Sequence, residues 1–446
     1  MTGFQIALTL AVFGTVIVAI AFDVVDMAVA GLLGVSVLVA AGVLGPAELM
    51  KGIESASGPL LLLAGGMIVA QTLGSTGIFD RISAIYLQAT RGSGKRFLLL
   101  LVVLVAPLCA VLPNATTVVL LAPVIIRVAK ALELSIVGPL ILTAIVSNSA
   151  GLLTLVGDPA TFLVGHAIGM TFGEFLRRVS LGGLLSILVV VALLPVFLRD
   201  IWRIRREPPV LPPQKPLERP AFAILSLIVL IVMIALFVFG EALPTHIIPP
   251  AAAFIAASLA LLVVGAVKVS SVDSVVHEMD WKTLLFLGCI FCLVQAVTET
   301  GLLQTLSLQM HEWFGHRLQL VSMNLLAGIG VLSSVLANTP VVAASITMVK
   351  GYLVAAELVP ELALGDGFTA WPVSTLPVFV SMMFGATLGG NATLIGAAAN
   401  LAAVGVGQRH GQRITFGTWL RYGVPFTIAQ LLASAVYVVL MFRVLS

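Results

Sequence analysis

Charge is what this sequence has least of. Only 10% of its 446 residues are Asp, Glu, Lys or Arg, where an ordinary soluble domain carries about 25%. A soluble globule of this length could not cover its surface with so few. Three cysteines form no disulfide framework. The first 22 residues contain no Lys or Arg, so they lack the basic start of a cleaved secretory signal and read as a retained first span. No P-loop, dinucleotide fingerprint or nucleophile elbow is present, and the six histidines show no metal-ligand spacing and fall in predicted loops. No cofactor, metal or catalytic constellation is therefore expected. A net charge of +3 without clustering excludes a nucleic-acid-binding face.

Apolar residues are abundant instead, at 60%, with 41 Gly besides. The solvent such a chain requires is the lipid bilayer. Runs of about 20 apolar residues mark spanning helices at 4–22, 27–45, 58–77, 136–165, 179–198, 220–240, 248–267, 283–300, 372–405 and 420–442. Two further runs, 97–130 and 318–349, are interrupted by polar tips, Pro113-Asn114-Ala115-Thr116-Thr117 and Ala337-Asn338-Thr339-Pro340. Flanks of roughly 15 residues are too short to cross alone, which predicts re-entrant hairpins with tips near mid-membrane. Irregular backbone is tolerated at that depth only when buried in protein or lining a cavity.

If both hairpins return to their own side, Lys and Arg divide unevenly. Seventeen of the 23 fall on one face, including Arg81, Arg127, the Arg199–Arg219 cluster and Lys282. Six fall on the other: Lys51, Arg177, Arg178, Arg317, Lys350 and Arg443. The positive-inside rule makes the first face cytoplasmic. This predicts an inner (plasma) membrane protein with both termini outside.

The chain also repeats itself. Thr76-Gly77 and Asn114 recur 224 positions later at Thr300-Gly301 and Asn338. Thr154-Leu155-Val156-Gly157 recurs as Thr393-Leu394-Ile395-Gly396, and Thr171-Phe172-Gly173 as Thr415-Phe416-Gly417. The predicted architecture is an all-α membrane protein of two repeats, each with five transmembrane helices and one re-entrant hairpin. The repeats cover 1–198 and 220–446, joined by a cytoplasmic linker at 199–219. Five is odd, so the second repeat enters the membrane inverted, the plan of secondary transporters.

The fifth span of each repeat is Gly-rich with a polar centre: Ser147-Asn148-Ser149 through Gly157-Asp158-Pro159, and Gly389-Gly390-Asn391-Ala392-Thr393 through Asn400. Gly weakens a helix and Pro removes a donor, so both spans should break at mid-depth. The freed backbone and nearby side chains can then replace the hydration shell of a small solute. Candidate solute contacts are Asn114, Thr116, Thr117, Ser147, Asn148, Asn338, Thr339, Asn391, Thr393 and Asn400, which could instead only satisfy backbone at the breaks. Asp158 is the one carboxylate near them, and its repeat counterpart is Ala397. A buried lone carboxylate is costly when charged, which suits it to proton coupling. Capping of the following half-helix is the alternative role. Cys109, Cys289 and Cys292 read as small apolar fillers.

The segment Gly151 to Gly165, the stretch Leu388 to Asn400 and the two tips resemble the signatures of the ion transporter superfamily. The likeness is to its arsenite-efflux and sodium–proton antiporter branch, which is related to the pink-eyed-dilution protein and the divalent-anion/sodium symporters. That resemblance implies a scaffold and a moving transport domain, elevator-type alternating access and a homodimer. The chain departs from the family's Gly-x-Pro-Pro-Asn at Gly157-Asp158-Pro159-Ala160-Thr161, where Thr161 replaces Asn. With no Lys or Arg beside the breaks and a single acid, elimination favours proton-coupled export of a small neutral solute such as arsenite (and antimonite). A sodium–proton antiporter, a transporter of a small organic or inorganic anion, and a membrane scaffold are the rivals. The basic linker offers a surface for a cytoplasmic ATPase subunit.

Overall fold

The computed structural model describes residues 2–21, 24–207, 219–267, 271–365 and 367–445. Most of the linker's Pro-rich part, 208–218, lies outside them, as do Asp23, Lys215 and Lys268. The described residues form helices and no strand, with one isolated bridge between Ser93 and Arg205.

The first half opens with α1 (Gly3–Ala21), α2 (Met27–Ala40) and α3 (Pro46–Gly74). Asp26 caps α2 by accepting from Ala28 N. Helix α2 stops at Ala40, short of the predicted 45, because Gly42 takes a left-handed φ of 66° and turns the chain. Helix α3 starts 12 residues before the predicted 58: Pro46 sits at its first position and Glu48 accepts from Gly45 N. Then come α4 (Ile78–Thr90), the limbs α5 (Gly94–Cys109) and α6 (Asn114–Ala131), α7 (Val137–Ala150), α8 (Pro159–Ala167), α9 (Phe172–Arg178), α10 (Ser180–Phe197) and α11 (Arg199–Trp202).

The second half follows the same order. It runs α12 (Pro220–Phe239), α13 (Pro249–Val267), α14 (Val272–His277), α15 (Trp281–Glu299) and α16 (Leu302–Phe314). The limbs α17 (Leu318–Val335) and α18 (Asn338–Ala355) lead to α19 (Leu376–Gly389), α20 (Ala398–Arg409) and α21 (Phe416–Leu445). Helices α4 and α16 lie outside every predicted span, and each begins after a glycine at positive φ, 72° at Gly77 and 78° at Gly301. The histidines were also read as loop residues. His166, His277 and His311 instead lie in α8, α14 and α16.

Each of the two interrupted runs forms a pair of helical limbs, α5/α6 and α17/α18, with a turn at the polar tip. Their limbs of 16 and 18 residues are longer than the predicted 15. At about 1.5 Å per residue, 18 residues span about 27 Å. Among the described residues nine helices are long and apolar enough to cross a membrane, the limbs α6 and α17 among them, while α2, α7 and α19 are shorter apolar helices. The chain is thus a multi-pass membrane protein. Among the described residues four ion pairs, Lys51–Glu299, Asp80–Arg127, Glu133–Arg206 and Asp26–Lys282, each join two residues that the predicted order of spans puts on one face.

Packing is local on one limb and crossed on the other. Limb α5 lies on α7 and limb α17 on α19, each within its own half. Limb α6 lies on α20 and limb α18 on α8, each in the opposite half. The crossing brings the second tip, at Asn338, to the first break at Asp158. Elsewhere α2 and α3 pack on α15, where Gly31 and Gly52 admit Cys289 and Cys292 at helix-contact distance. Cys292 is buried among Leu287, Ile290 and Phe291, as filler.

A candidate solute site at the two helix breaks

Between α7 and α8 the chain is non-helical from Gly151 to Asp158, and between α19 and α20 from Gly390 to Ala397. The two breaks begin and end in matching conformations, with φ/ψ of −56°/−22° at Gly151 and −57°/−21° at Gly390. The residues preceding α8 and α20, Asp158 and Ala397, have φ/ψ of −146°/139° and −149°/148°. The residues preceding α6 and α18, Pro113 and Ala337, have −56°/131° and −57°/141°.

Side chains brace the breaks in matched pairs. Thr154 Oγ1 donates to Ala110 O, and Thr393 Oγ1 donates to Ser334 O. Cys109 Sγ donates to Ser147 Oγ at 3.2 Å, and its counterpart Ser333 donates to Ala386 O at 2.6 Å. Thr161 Oγ1 donates to Gly151 O at 3.3 Å, where Asn400 Nδ2 donates to Gly390 O at 2.8 Å. The Thr161 departure thus keeps the bond across the break and loses the amide's carbonyl.

The polar centre is asymmetric. Asp158 Oδ1 accepts from Ala160 N at 2.8 Å, and Oδ2 accepts from Asn338 Nδ2 of the opposite hairpin tip, also at 2.8 Å. Capping and a bond between halves therefore coexist in one carboxylate that is 3% exposed. No ion pair to Asp158 exists among the described residues. The sequence counterpart of Asn338 is Asn114 and that of Asp158 is Ala397, which has no carboxylate; the buried Asn114 Oδ1 has no partner among the described residues. Gly151 marks where these groups converge. A Cβ there would sit 2.9 Å from Asp158 Cβ, 3.1 Å from Asn148 O and 3.4 Å from Asn114 Nδ2. Only glycine allows that approach.

Beside this point Asn148 Nδ2 donates to Asn391 Oδ1 and Asn400 Oδ1, each at 2.9 Å. These three asparagines are 0–1% exposed, so burial demands such pairing. Ser147 Oγ donates to Asn114 O at 3.4 Å, and Thr339 Oγ1 to Asn338 Oδ1 at 3.3 Å. Thr116 and Thr117 are buried on the first turn of α6, without a hydrogen bond to the other candidates among the described residues. Sequence reading passed over Gln430 and Trp419. Gln430 Oε1 accepts from Asn391 Nδ2 at 3.0 Å, and Trp419 Nε1 donates to Asn391 O at 3.0 Å. A lone Gln in the middle of the apolar α21 was the available signal. No cluster of three metal-ligating side chains occurs among the described residues.

Four helix N-termini (α6, α8, α18 and α20) and a set of amide and hydroxyl groups are thus gathered at two breaks in a multi-pass helical membrane protein. Broken helices of this kind are a feature of secondary transporters. The chain belongs to the citrate transporter family, CitMHS, whose family model matches residues 17–365, and so to a family of transporters and not of enzymes. It is 37% identical over 431 residues to an uncharacterized transporter of Synechocystis sp., covering 96% of each chain. An uncharacterized transporter of Mycobacterium tuberculosis is 31% identical over 392 residues, 86% of each chain. The mouse P protein is 24% identical over 498 residues, covering 94% of this chain and 58% of that protein. This last likeness agrees with the resemblance to the pink-eyed-dilution protein.

Proposed function

We propose that this chain is a proton-coupled secondary transporter of the plasma membrane, with its solute site at the two helix breaks and Asp158 as the coupling carboxylate. The observation that carries the reading is the Asn338–Asp158 bond of 2.8 Å, which ties the second hairpin tip to the first broken helix. A bond to a charged acceptor is roughly twice as strong as one between neutral groups. Protonation of Asp158 therefore loosens the tie, and deprotonation restores it. Occupancy of one carboxyl group is coupled in this way to the position of a hairpin tip. In the same reading the halves 1–198 and 220–446 are inverted repeats about the 199–219 linker, and the moving unit works by an elevator-type alternating access. The matched backbone angles and braces support the repeat.

For the solute, the family description favours a small carboxylate of the citrate class. Such an anion would face Asp158, so it would arrive with a proton or a cation. Arsenous acid, export of which the motif resemblance favours, is a second reading, supported by the want of any ion-paired cation at Asp158: an uncharged solute needs none. Sodium–proton antiport is the third. A homodimer extends the reading. Gradient-driven flux from the purified chain alone would make an ATPase subunit unnecessary.

The test uses purified protein in proteoliposomes with an imposed pH gradient and an internal pH-sensitive dye. Citrate with and without a divalent cation, arsenite and sodium are added in turn. Proton movement evoked by citrate supports the carboxylate reading. Movement evoked by arsenite alone selects the exporter, and movement with sodium alone selects the antiporter. No proton movement with any of them would overturn the proposal.

A further inference from the structure

We infer that Gln430 is a positioning residue that fixes the amide of Asn148, so that both its N–H groups are held and its carbonyl oxygen is the group left free to accept at the helix breaks. Amide polarity is decided by neighbours that cannot change theirs. A main-chain carbonyl only accepts, so the Gln430 atom 3.2 Å from Ser186 O is the nitrogen. The same nitrogen lies 2.7 Å from Ser149 Oγ, whose own hydrogen is donated to Ile145 O at 2.7 Å. Both neighbours therefore demand Nε2 on that side. Gln430 Oε1 then faces Asn391, which must present Nδ2 to it. Asn391 Oδ1 is thereby turned toward Asn148.

A second line reaches Asn148 from the other side. Asn400 Nδ2 is held by Gly390 O at 2.8 Å and Thr393 O at 2.7 Å. Its Oδ1 accordingly faces Asn148 as well. Asn148 meets two acceptors at 2.9 Å, and an amide has two N–H groups. Both are used, and Oδ1 is the group left to offer.

The consequence for the solute rests on the functional reading above, whereas the locking of Asn148 does not. With Asn114 Oδ1 and the Asp158 carboxylate, Asn148 supplies a third oxygen acceptor. The groups received there are hydrogen donors, such as a hydroxyl or a protonated acid, or cations.

The locking is tested on purified protein by thermal unfolding, which needs no solute. Asn148→Asp removes the N–H groups that Asn391 Oδ1 and Asn400 Oδ1 require and lowers Tm. Gln430→Met removes the acceptor that holds Asn391 Nδ2 at 3.0 Å and leaves it the longer 3.4 Å bond to Ser149 Oγ, so Asn391 can turn its Nδ2 toward the substituted position. In that background Asn148→Asp is expected to lower Tm by less than half as much. Gln430→Asn, which withdraws the amide from Ser186 with less disruption, gives the same relief and serves if the Met variant fails to fold. Trp419→Phe loosens the main chain of Asn391 but not its amide, and is expected to give no relief. Additive Tm losses for Asn148 and Gln430, or equal relief from Trp419→Phe, would overturn the inference.

Discussion

Replacing Asp158 separates its two roles, because two substitutions remove different parts of it. In Asp158→Asn the side-chain oxygen still accepts from Ala160 N, so the cap on α8 survives. The new amide nitrogen meets Asn338 Nδ2, and Asn338 can turn to present Oδ1, which now accepts only from Thr339 at 3.3 Å. The exchange of a charged for a neutral hydrogen bond costs about 1 kcal/mol. Asp158→Ala removes the cap, at about 0.5–2 kcal/mol. It also strands the Asn338 amide, at about 1–3 kcal/mol, so the two losses together come to about 1.5–5 kcal/mol. Thermal unfolding in detergent should therefore place Asn close to wild type and Ala well below. In proteoliposomes, Asn should retain solute exchange across the membrane while losing accumulation driven by a pH gradient, and Ala should lose both. Wild-type accumulation by Asp158→Asn under a pH gradient would refute the coupling role. A Tm for Asn as low as that of Ala would refute the account of the cap.

Two further outcomes follow from close approaches. A Cβ on Gly389 would lie 2.2 Å from Gly330 O, a backbone atom with no room to yield, so Gly389→Ala should destabilise by about 3 kcal/mol. Gly405→Ala in α20 meets nothing within 4 Å and should stabilise by about 0.5–1 kcal/mol; equal Tm values for the two would contradict the packing. Cys109→Ser reproduces the Ser333 arrangement of the other half. The variant with Ser at 109, 289 and 292 should therefore keep most of its flux, and complete loss in the proteoliposome assay would refute the reading of the cysteines as fillers.

Much of the architecture was legible because its causes are local. Apolar runs and the Pro-Asn and Asn-Thr-Pro tips mark spans and turns without reference to distant residues. So do the Gly-rich breaks and the Asp158-Pro159 cap. The errors are local too. Helices α4 and α16 are 13-residue segments of mixed polarity, which hydropathy reads as loops. Polar residues in 46–57 hid the first turns of α3, since hydropathy detects lipid contact and not helicity.

The site was legible as a set of residues but not as an arrangement. Sequence placed Asn148, Asn391 and Asn400 at breaks, and Asp158 and Asn338 at a cap and a tip. It could not say that Asn338 reaches Asp158 across 180 positions, nor that Asn148 bonds both Asn391 and Asn400 some 250 positions away. Gln430 remained one uncharged residue in an apolar helix until α21 packed against α10 and α19. Local composition and motifs are enough to mark the apolar spans, the helix breaks and the polar groups available there. Which of those groups meet, and which face each amide shows, is settled by packing between distant helices. A side-chain amide carries a donor and an acceptor of almost equal shape, and its polarity is chosen by partners that folding alone brings within 3 Å.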